Sequence, residues 1–546
     1  MFGKILVLLS FLIVAFGQPV WGAAASFLTA TAGLALFWWE VLKISPKQRF
    51  WLGTFWYTAV SLVQQGWLLS HPYAYIYPLW VLLSFLWGIQ FGILCYFVTP
   101  ERVSRIRGIL SLAALWTLLE WSRLYILSGY SFNPIGLALA GNLWTLQIAS
   151  LFGVFGMSFW VAATNLFLLS WFSTGRRGIL ALVFIFFPFL FGWQQVWSRE
   201  EAMKQQPPFS ALLVQTSFPI EEICPFETFD ALKNFVEGEW SQICKMTAPY
   251  LDKKYDLIVL PEYVVPFGTY TFVYSYENAL RTLLEAYGIG VIDSLPPLEL
   301  PLAHQNGGQW FVSNAYFAQT IANHFNANLV LGLEDSEDVD GHREFYSAAL
   351  FFAPRPNNYE PRRYAKQILV PMGEYIPFAW CKQLAQNYGV GGSFTPGSGP
   401  VVWEAGGVSF GSSICYEETF GDLMRQNRKA GAKMLVNLTS DIWYPHSMLI
   451  WQHLEHARIR TVEMGVPLLR SCNTGITCGI DSLGRDVAIF AQDAEDPEDV
   501  SGALPLEISP YSYQTLYSQT GDGPLIGVCF FFVLAGQLFD RRNRDR

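Results

Sequence analysis

Apolar positions along this chain follow two different patterns. Eight runs stay apolar on every side, near 4–21, 24–42, 50–70, 74–98, 108–127, 143–173, 178–198 and 521–539. A helix needs about 20 such residues to cross a hydrocarbon core. Between residues 208 and 510 the pattern changes to short β-like runs separated by amphipathic stretches. Strands are predicted at 211–216, 257–260, 329–333, 347–352, 408–414, 433–438 and 467–471, and helices at 229–247, 312–325 and 447–464. Strands alternating with helices imply an α/β domain with crossover helices. The Pro- and Leu-rich stretch 295–301 reads as a loop lying over that domain or against a membrane. The chain thus divides into a membrane domain of seven helices (1–200), an α/β domain (208–510) and a last transmembrane helix (519–540). Residues 1–24 also fit a signal peptide, with Lys4, an apolar core and Gly22-Ala-Ala-Ala25, although the next apolar run follows with almost no spacer.

Charge adds an orientation. The net charge of −9 belongs to the second half, because Glu40, Glu101 and Glu120 are the only acids before Arg199. Such a balance argues against a nucleic-acid partner, which wants a basic face. Lys43, Lys47 and Arg49 follow the second run, Arg102, Arg105 and Arg107 the fourth, Arg176 and Arg177 the sixth, and Arg541, Arg542, Arg544 and Arg546 the last. The alternate loops, around His71 and from Ser128 to Asn142, carry no Lys or Arg. Basic loops stay in the cytoplasm. Both termini are therefore expected there, and the block from about 205 to 515 outside it.

Candidate chemistry lies in that outer block. Cys415, in Gly411-Ser-Ser-Ile-Cys-Tyr-Glu-Glu418, ends a β-like run and begins a helical stretch. Backbone N–H groups at such an elbow favour a thiolate. The flanking Glu417 and Glu418 oppose it, and a lone cysteine is commonly a buried structural residue. Two companions change the balance. Glu262 ends the buried strand Asp256-Leu-Ile-Val-Leu-Pro-Glu262, and Lys366 precedes the apolar Ile368-Leu-Val-Pro. A nucleophilic thiol needs a base and a cation or N–H donors for the oxyanion, and these two side chains supply both. Of the other cysteines, Cys95 and Cys529 fall in apolar runs, while Cys224, Cys244, Cys381, Cys472 and Cys478 share the outer block. A reactive thiol there is expected to be enclosed and reached only by lipid. His453 and His456 sit i, i+3 on a helix with no third ligand in view, so neither metal nor cofactor is expected.

Pro261-Glu262, Tyr364-Ala-Lys366-Gln-Ile-Leu-Val-Pro-Met-Gly-Glu-Tyr-Ile-Pro377 and Ile414-Cys-Tyr-Glu417 resemble the Glu-Lys-Cys signature of the nitrilase superfamily. More narrowly they resemble the bacterial apolipoprotein N-acyltransferases. Asn437 to Trp443, Gln452-His-Leu-Glu-His-Ala-Arg-Ile-Arg-Thr-Val-Glu463 and Leu469-Arg-Ser-Cys-Asn-Thr-Gly475 continue the likeness. So do Leu119-Glu-Trp-Ser-Arg123 and Gly129-Tyr-Ser-Phe-Asn-Pro-Ile-Gly136 in the membrane half.

The resemblance implies an αββα sandwich on the periplasmic side of a bacterial inner membrane, in a monomer. It implies a ping-pong transfer in which Cys415, deprotonated by Glu262, takes an acyl chain from a phospholipid. Lys366 would hold the oxyanion, and the N-terminal amine of a diacylglyceryl apolipoprotein would collect the acyl group. Glu374, Tyr416, Glu417 and Trp443 would line the substrate site. The apolar stretch from Trp443 to Trp451 suits a lid or an interfacial contact. Glu120 and Arg123 could pair within a span or position the loop after it. Some segments depart from the family pattern: Val214-Gln-Thr-Ser217, Pro225-Phe226, Lys366-Gln367, Met372-Gly-Glu-Tyr375, Ser440-Asp-Ile-Trp-Tyr-Pro445 and added residues around 285–312. The rival reading with the same residues is a membrane-tethered nitrilase-type amidase that uses water as acceptor. A transporter with a large outer domain would want polar residues through the spans, and these are scarce.

Overall fold

The computed structural model describes residues 2–220, 226–359, 362–378, 381, 383 and 393–544. Cys224 and Pro225 lie outside the described residues. Helices occupy each of the eight apolar runs: Phe2–Ala15, Ala23–Leu28 continued to Val41 through a π-turn, Pro46–Gln64, Ile76–Phe97, Ile106–Trp121, Ala149–Thr174, Gly178–Lys204 and Gly523–Arg544. Four are long and apolar enough to cross a membrane by length and composition, namely Ala23–Val41, Ile76–Phe97, Ala149–Thr174 and Gly178–Lys204. Local chemistry sets several of their ends. Ser45 and Gln48 form a capping box before Pro46, which satisfies N–H groups the helix cannot pair. The run predicted at 143–173 is interrupted, because Gly153 adopts φ 65° and ψ −172° inside it. Within this half, Arg123 lies over the Trp87 and Trp116 rings and donates to Gln90. Glu120, 4.0 Å from Arg123, accepts from the Ile135 N–H at 2.8 Å. The pair thus forms, and it also anchors the loop after the fifth helix.

The second half is a sandwich of two six-stranded sheets. The strands are β1 (Phe209–Gln215), β2 (Leu257–Val259), β3 (Tyr274–Ser275), β4 (Ala303–Asn306), β5 (Gln309–Val312), β6 (Asn328–Val339), β7 (His342–Phe352), β8 (Arg363–Ala365), β9 (Val402–Ala405), β10 (Val408–Ile414), β11 (Met434–Thr439), β12 (Leu468–Cys472), β13 (Cys478–Ile480), β14 (Asp486–Ile489) and β15 (Gly502–Ile508). One sheet runs β15-β1-β2-β6-β7-β8 and the other β14-β13-β12-β11-β10-β9; β3, β5 and β4 form a small third sheet. The central strands β1, β2 and β6, and likewise β10, β11 and β12, pair in parallel.

Side-chain alternation builds the layers. Ala211, Leu213, Leu257, Val259 and Val330 face Phe410, Met434, Val436 and Leu438 between the sheets. Leu212, Val214, Ile258 and Leu329 turn outward to Val236, Trp240 and Phe317 of an outer helical layer. On the other side Leu435, Leu468 and Ile480 meet Met424, Ile450, Leu454 and Ala457 of an inner helical layer. The order is helix, sheet, sheet, helix, as expected. The 295–300 loop packs Leu295 and Leu298 on the outer core, so it lies over the domain.

The inner layer also touches the membrane half. On helix Leu449–Met464, Ile459 and Val462 belong to the membrane helices' own core. Burying each contributes about 1.5–3 kcal/mol. Polar bonds cross the same junction: Asn133 Nδ2 donates to Gln452 Oε1 at 3.1 Å, Gln147 Nε2 to the Leu483 carbonyl at 2.8 Å, and the Val154 N–H to Glu463 at 2.8 Å. Trp67 packs edge-on against Tyr444, and His71 stacks on Trp443.

Candidate active site

Cys415 follows the last residue of β10 and opens a short 3₁₀ turn, Cys415–Thr419. Its φ is 54°, a conformation that costs a non-glycine residue energy and lifts its side chain off the sheet. Glu417 braces this elbow. Its carboxylate accepts from the Ile414 N–H at 2.8 Å, the Gln367 N–H at 2.6 Å, the Ile368 N–H at 3.1 Å and the Tyr364 hydroxyl at 2.8 Å. Asn437 holds the other side, donating to the Cys415 carbonyl at 3.1 Å. The Ser131 and Thr419 hydroxyls bond across from the membrane half.

Glu262 and Lys366 come from the opposite sheet. Glu262 follows β2 and sits tight against β6, where a Cβ on Gly332 would come within 2.6 Å of the Glu262 Cα. Only glycine permits that approach. Lys366 follows β8, and its Nζ lies 3.0 Å from Glu262 and 2.7 Å from Glu374. The second oxygen of Glu262 accepts from the Ser440 N–H at 3.0 Å, and that of Glu374 from the Val370 N–H at 2.8 Å. Cys415 lies beside Glu262, and its thiol offsets part of the rise that burial imposes on that carboxyl. Three residues 153 positions apart at the extremes thus converge on one point.

The electrostatics follow from burial. Burial raises the Glu262 carboxyl above the usual carboxylate range, with Lys366 opposing and Glu374 adding. Burial pulls the Lys366 ammonium down, but Glu262 and Glu374 outweigh it and hold its pKa well above the ordinary lysine value. Burial, then the charge of Glu262, push the Cys415 thiol well up, against Lys366. Both influences favour the protonated sulfur at Cys415, opposing the thiolate anticipated from the elbow. A turn of five residues carries little dipole, and two carboxylates against one ammonium leave the site net negative. Nor is Cys415 enclosed: it is half-buried.

The remaining candidates separate by contact. Glu374 joins the reacting cluster through Lys366. Glu417 is fully buried with its oxygens occupied, so it positions the elbow and has no oxygen left for a substrate. Tyr416 donates to the Leu369 carbonyl at 3.2 Å, its ring 6.0 Å from the Lys366 ammonium. Trp443 stacks on His71 at 5.7 Å, joining the two halves of the chain. Sequence reasoning gave no site role to Ser440, which acts through its backbone, and did not join Glu418, Asp441, His453 and Arg470 into one buried set. His453 lies 3.0 Å from Asp441 and 3.1 Å from Glu418, and Arg470 lies 2.9 Å from Glu418. These histidine nitrogens face protein carboxylates. The shared motif Gln452-His453 was visible in the sequence, but its partners were not.

A family profile described as carbon-nitrogen hydrolase matches residues 227–503, and one described as the apolipoprotein N-acyltransferase N-terminal domain matches residues 10–167. An apolipoprotein N-acyltransferase of Chlamydia pneumoniae is 31% identical over 96% of this chain and 95% of its own length. The chain belongs to the apolipoprotein N-acyltransferase family. A relative of that name from Methylococcus capsulatus is 28% identical over 81% of this chain and 75% of its own. Among solved structures, an amidase from Nesterenkonia AN1 overlays with a TM-score of 0.33 at 15% identity, covering 59% of this chain and 98% of that one. Membership makes the chain a membrane-associated acyltransferase, with a carbon-nitrogen-hydrolase domain behind a helical membrane domain.

Proposed function

We propose that this acyltransferase moves a fatty acyl chain from a membrane phospholipid, through a Cys415 thioester, to the N-terminal amine of a diacylglyceryl-cysteine apolipoprotein. The observation that carries the reading is the meeting of Cys415, Glu262 and Lys366 at an elbow whose turn is bonded to the membrane half. As the sulfur attacks the ester carbonyl, Glu262 takes the thiol proton. Nothing has to stabilise a free thiolate beforehand. Lys366 has three N–H donors; two meet Glu262 and Glu374, and the third is available to the tetrahedral oxyanion. The lysophospholipid alkoxide leaves with the proton returned by Glu262. The apolipoprotein amine then attacks the thioester, gives its proton to Glu262, and the sulfur departs to be reprotonated. Glu374 keeps Lys366 aimed while Glu262 changes charge.

All eight helices cross the membrane in this reading, with residues 1–200 and 519–540 as membrane segments, 208–510 on the periplasmic side and both termini in the cytoplasm. The loop around His71 and the loop from Ser128 to Asn142, free of Lys and Arg, contact the catalytic half, while the basic loops alternate with them, which supports this orientation. The protein acts as a monomer on two lipid-anchored substrates. The test is incubation with phospholipid followed by mass analysis of the Cys415 peptide. An acyl thioester on Cys415 is expected. An acyl group elsewhere, or N-acylation restored by Cys415→Ala in a depleted strain, would overturn the mechanism. Release of free fatty acid or ammonia without lysophospholipid-coupled transfer would favour the amidase reading.

A further inference from the structure

Away from the reacting cluster, His446, Asp496 and Glu498 meet at the edge of the sandwich. A ring nitrogen of the histidine and one oxygen of each carboxylate lie within 4.8 Å of one another. His446 Nδ1 is 2.7 Å from Asp496 Oδ2, and Glu498 Oε2 accepts from the His446 N–H at 2.8 Å. Glu498 is 3% exposed, and its Oε1 is buried with no hydrogen-bond partner among the described residues. A buried carboxylate oxygen without a donor is costly, and the same carboxylate lies in a three-donor cluster. Asp499 adds its field at His446, so the corner favours a cation. His446, with its side chain 61% exposed, leaves an entry path from solvent.

We infer that His446, Asp496 and Glu498 bind a divalent transition-metal ion, for which Zn²⁺ is the best match. One imidazole nitrogen with two carboxylate oxygens suits zinc, whereas Ca²⁺ and Mg²⁺ take all-oxygen shells. Two carboxylates also balance the charge of a dication, and Glu498 has one oxygen with no hydrogen bond to give up among the described residues. No spacing motif announces this set, because its members lie 50 and 52 positions apart along the chain. The ion would not take part in acyl transfer. Its place gives it a mechanical consequence: His446 belongs to the same loop as Ser440, whose N–H holds Glu262, and Trp443, which stacks on His71. Asp496 and Glu498 belong to the turn before β15, tied to β1 by Gln215 and to the following residue pair by Ser217. A bound ion would therefore pin the catalytic loop to the sandwich.

The experiment uses the full chain in detergent, stripped with chelator and dialysed against Zn²⁺, and elemental analysis counts the ions retained. One equivalent is expected for the unaltered protein and none for His446→Asn or Asp496→Asn, both at exposed or half-buried positions. Because the seven cysteines among the described residues are free, Co²⁺ replaces Zn²⁺ in a second arm. Weak visible bands without a thiolate charge-transfer band are expected, and they should vanish in His446→Asn. Equal zinc retention by the variants, an intense thiolate band unaffected by His446→Asn, or no retention by the unaltered protein would each overturn the assignment.

Discussion

The two helical layers of the sandwich are built for different neighbours. In the outer layer, helix Phe229–Thr247 buries Val236, Trp240 and Ile243 along one stripe. Its opposite side faces solvent, as in any amphipathic surface helix. In the inner layer, helix Leu449–Met464 has buried residues on every side, including His453, His456, Arg460 and Glu463. Its apolar positions serve two cores, Ile450 and Leu454 that of the sheet and Ile459 and Val462 that of the membrane helices. Charges that would point to water in the outer layer must here find partners. Glu463 does so twice, with Arg460 at 2.5 Å and the Val154 N–H at 2.8 Å. The difference teaches that the membrane half replaces solvent on one face of the carbon-nitrogen-hydrolase domain, the face from which the turn of Cys415 is held. The proposed transfer between lipid-anchored substrates would use that arrangement.

The comparison can be broken first at the chemistry. Glu262→Gln keeps an oxygen for the Ser440 N–H and removes the base, so transfer from phospholipid to a diacylglyceryl peptide should fall by about 10²–10⁴-fold with the unfolding temperature nearly unchanged. A large loss of folded protein instead would make Glu262 a structural residue.

The junction comes next. Glu463→Ala leaves a buried guanidinium unpaired, and thermal unfolding in detergent should show a loss of about 3–5 kcal/mol. The pH dependence sharpens the same point. Burial, opposed by Arg460, pushes the Glu463 carboxyl up to about 7. A folded-state pKa above the unfolded one means the folded chain holds the proton longer. This contribution is therefore fully present below the unfolded value of about 4.3 and is lost as pH rises through 7. Glu463→Gln should flatten that fall by on the order of 1–3 kcal/mol; an unchanged profile would mean the carboxylate stays ionised throughout.

The outer layer should answer least. Ile289, 81% exposed beyond helix Tyr276–Tyr287, should tolerate Ile289→Ser within about 0.5 kcal/mol and without change in transfer rate. A marked loss of transfer would show that the outer face also meets a substrate.

Much of the fold was legible because local pattern carries it. The apolar run 408–414 became β10 to the residue, and 229–247 became a helix with the same bounds. Elements with weak pattern were missed. β15 contains Pro505 and a polar alternation, yet it pairs with all of β1, at the sheet edge where a proline costs no ladder bond. β4 and β5 hide in the segment read as added residues around 285–312, and β3 lies just before it, because strands of two to four residues are too short for a period to show. In the site, Glu262, Lys366 and Cys415 come together as their places beside strands suggested, and Glu374 joins them at Lys366, as the resemblance implied. Glu417 could not be separated from them in advance, since being next to a nucleophile looks the same whether a carboxylate faces the substrate or the backbone.

The amino-acid sequence by itself determined the periodicities, the alternation of basic loops and the identity of the residues that converge, because these depend on composition and short-range order. Tertiary structure alone decided what depends on remote partners. It favoured the protonated sulfur at Cys415, since burial and the charge of Glu262 reach it only in the fold. It turned Glu417 into a brace and buried helix Leu449–Met464 on both sides. It also brought His446 to Asp496 and Glu498, donors 50 and more positions away in the chain.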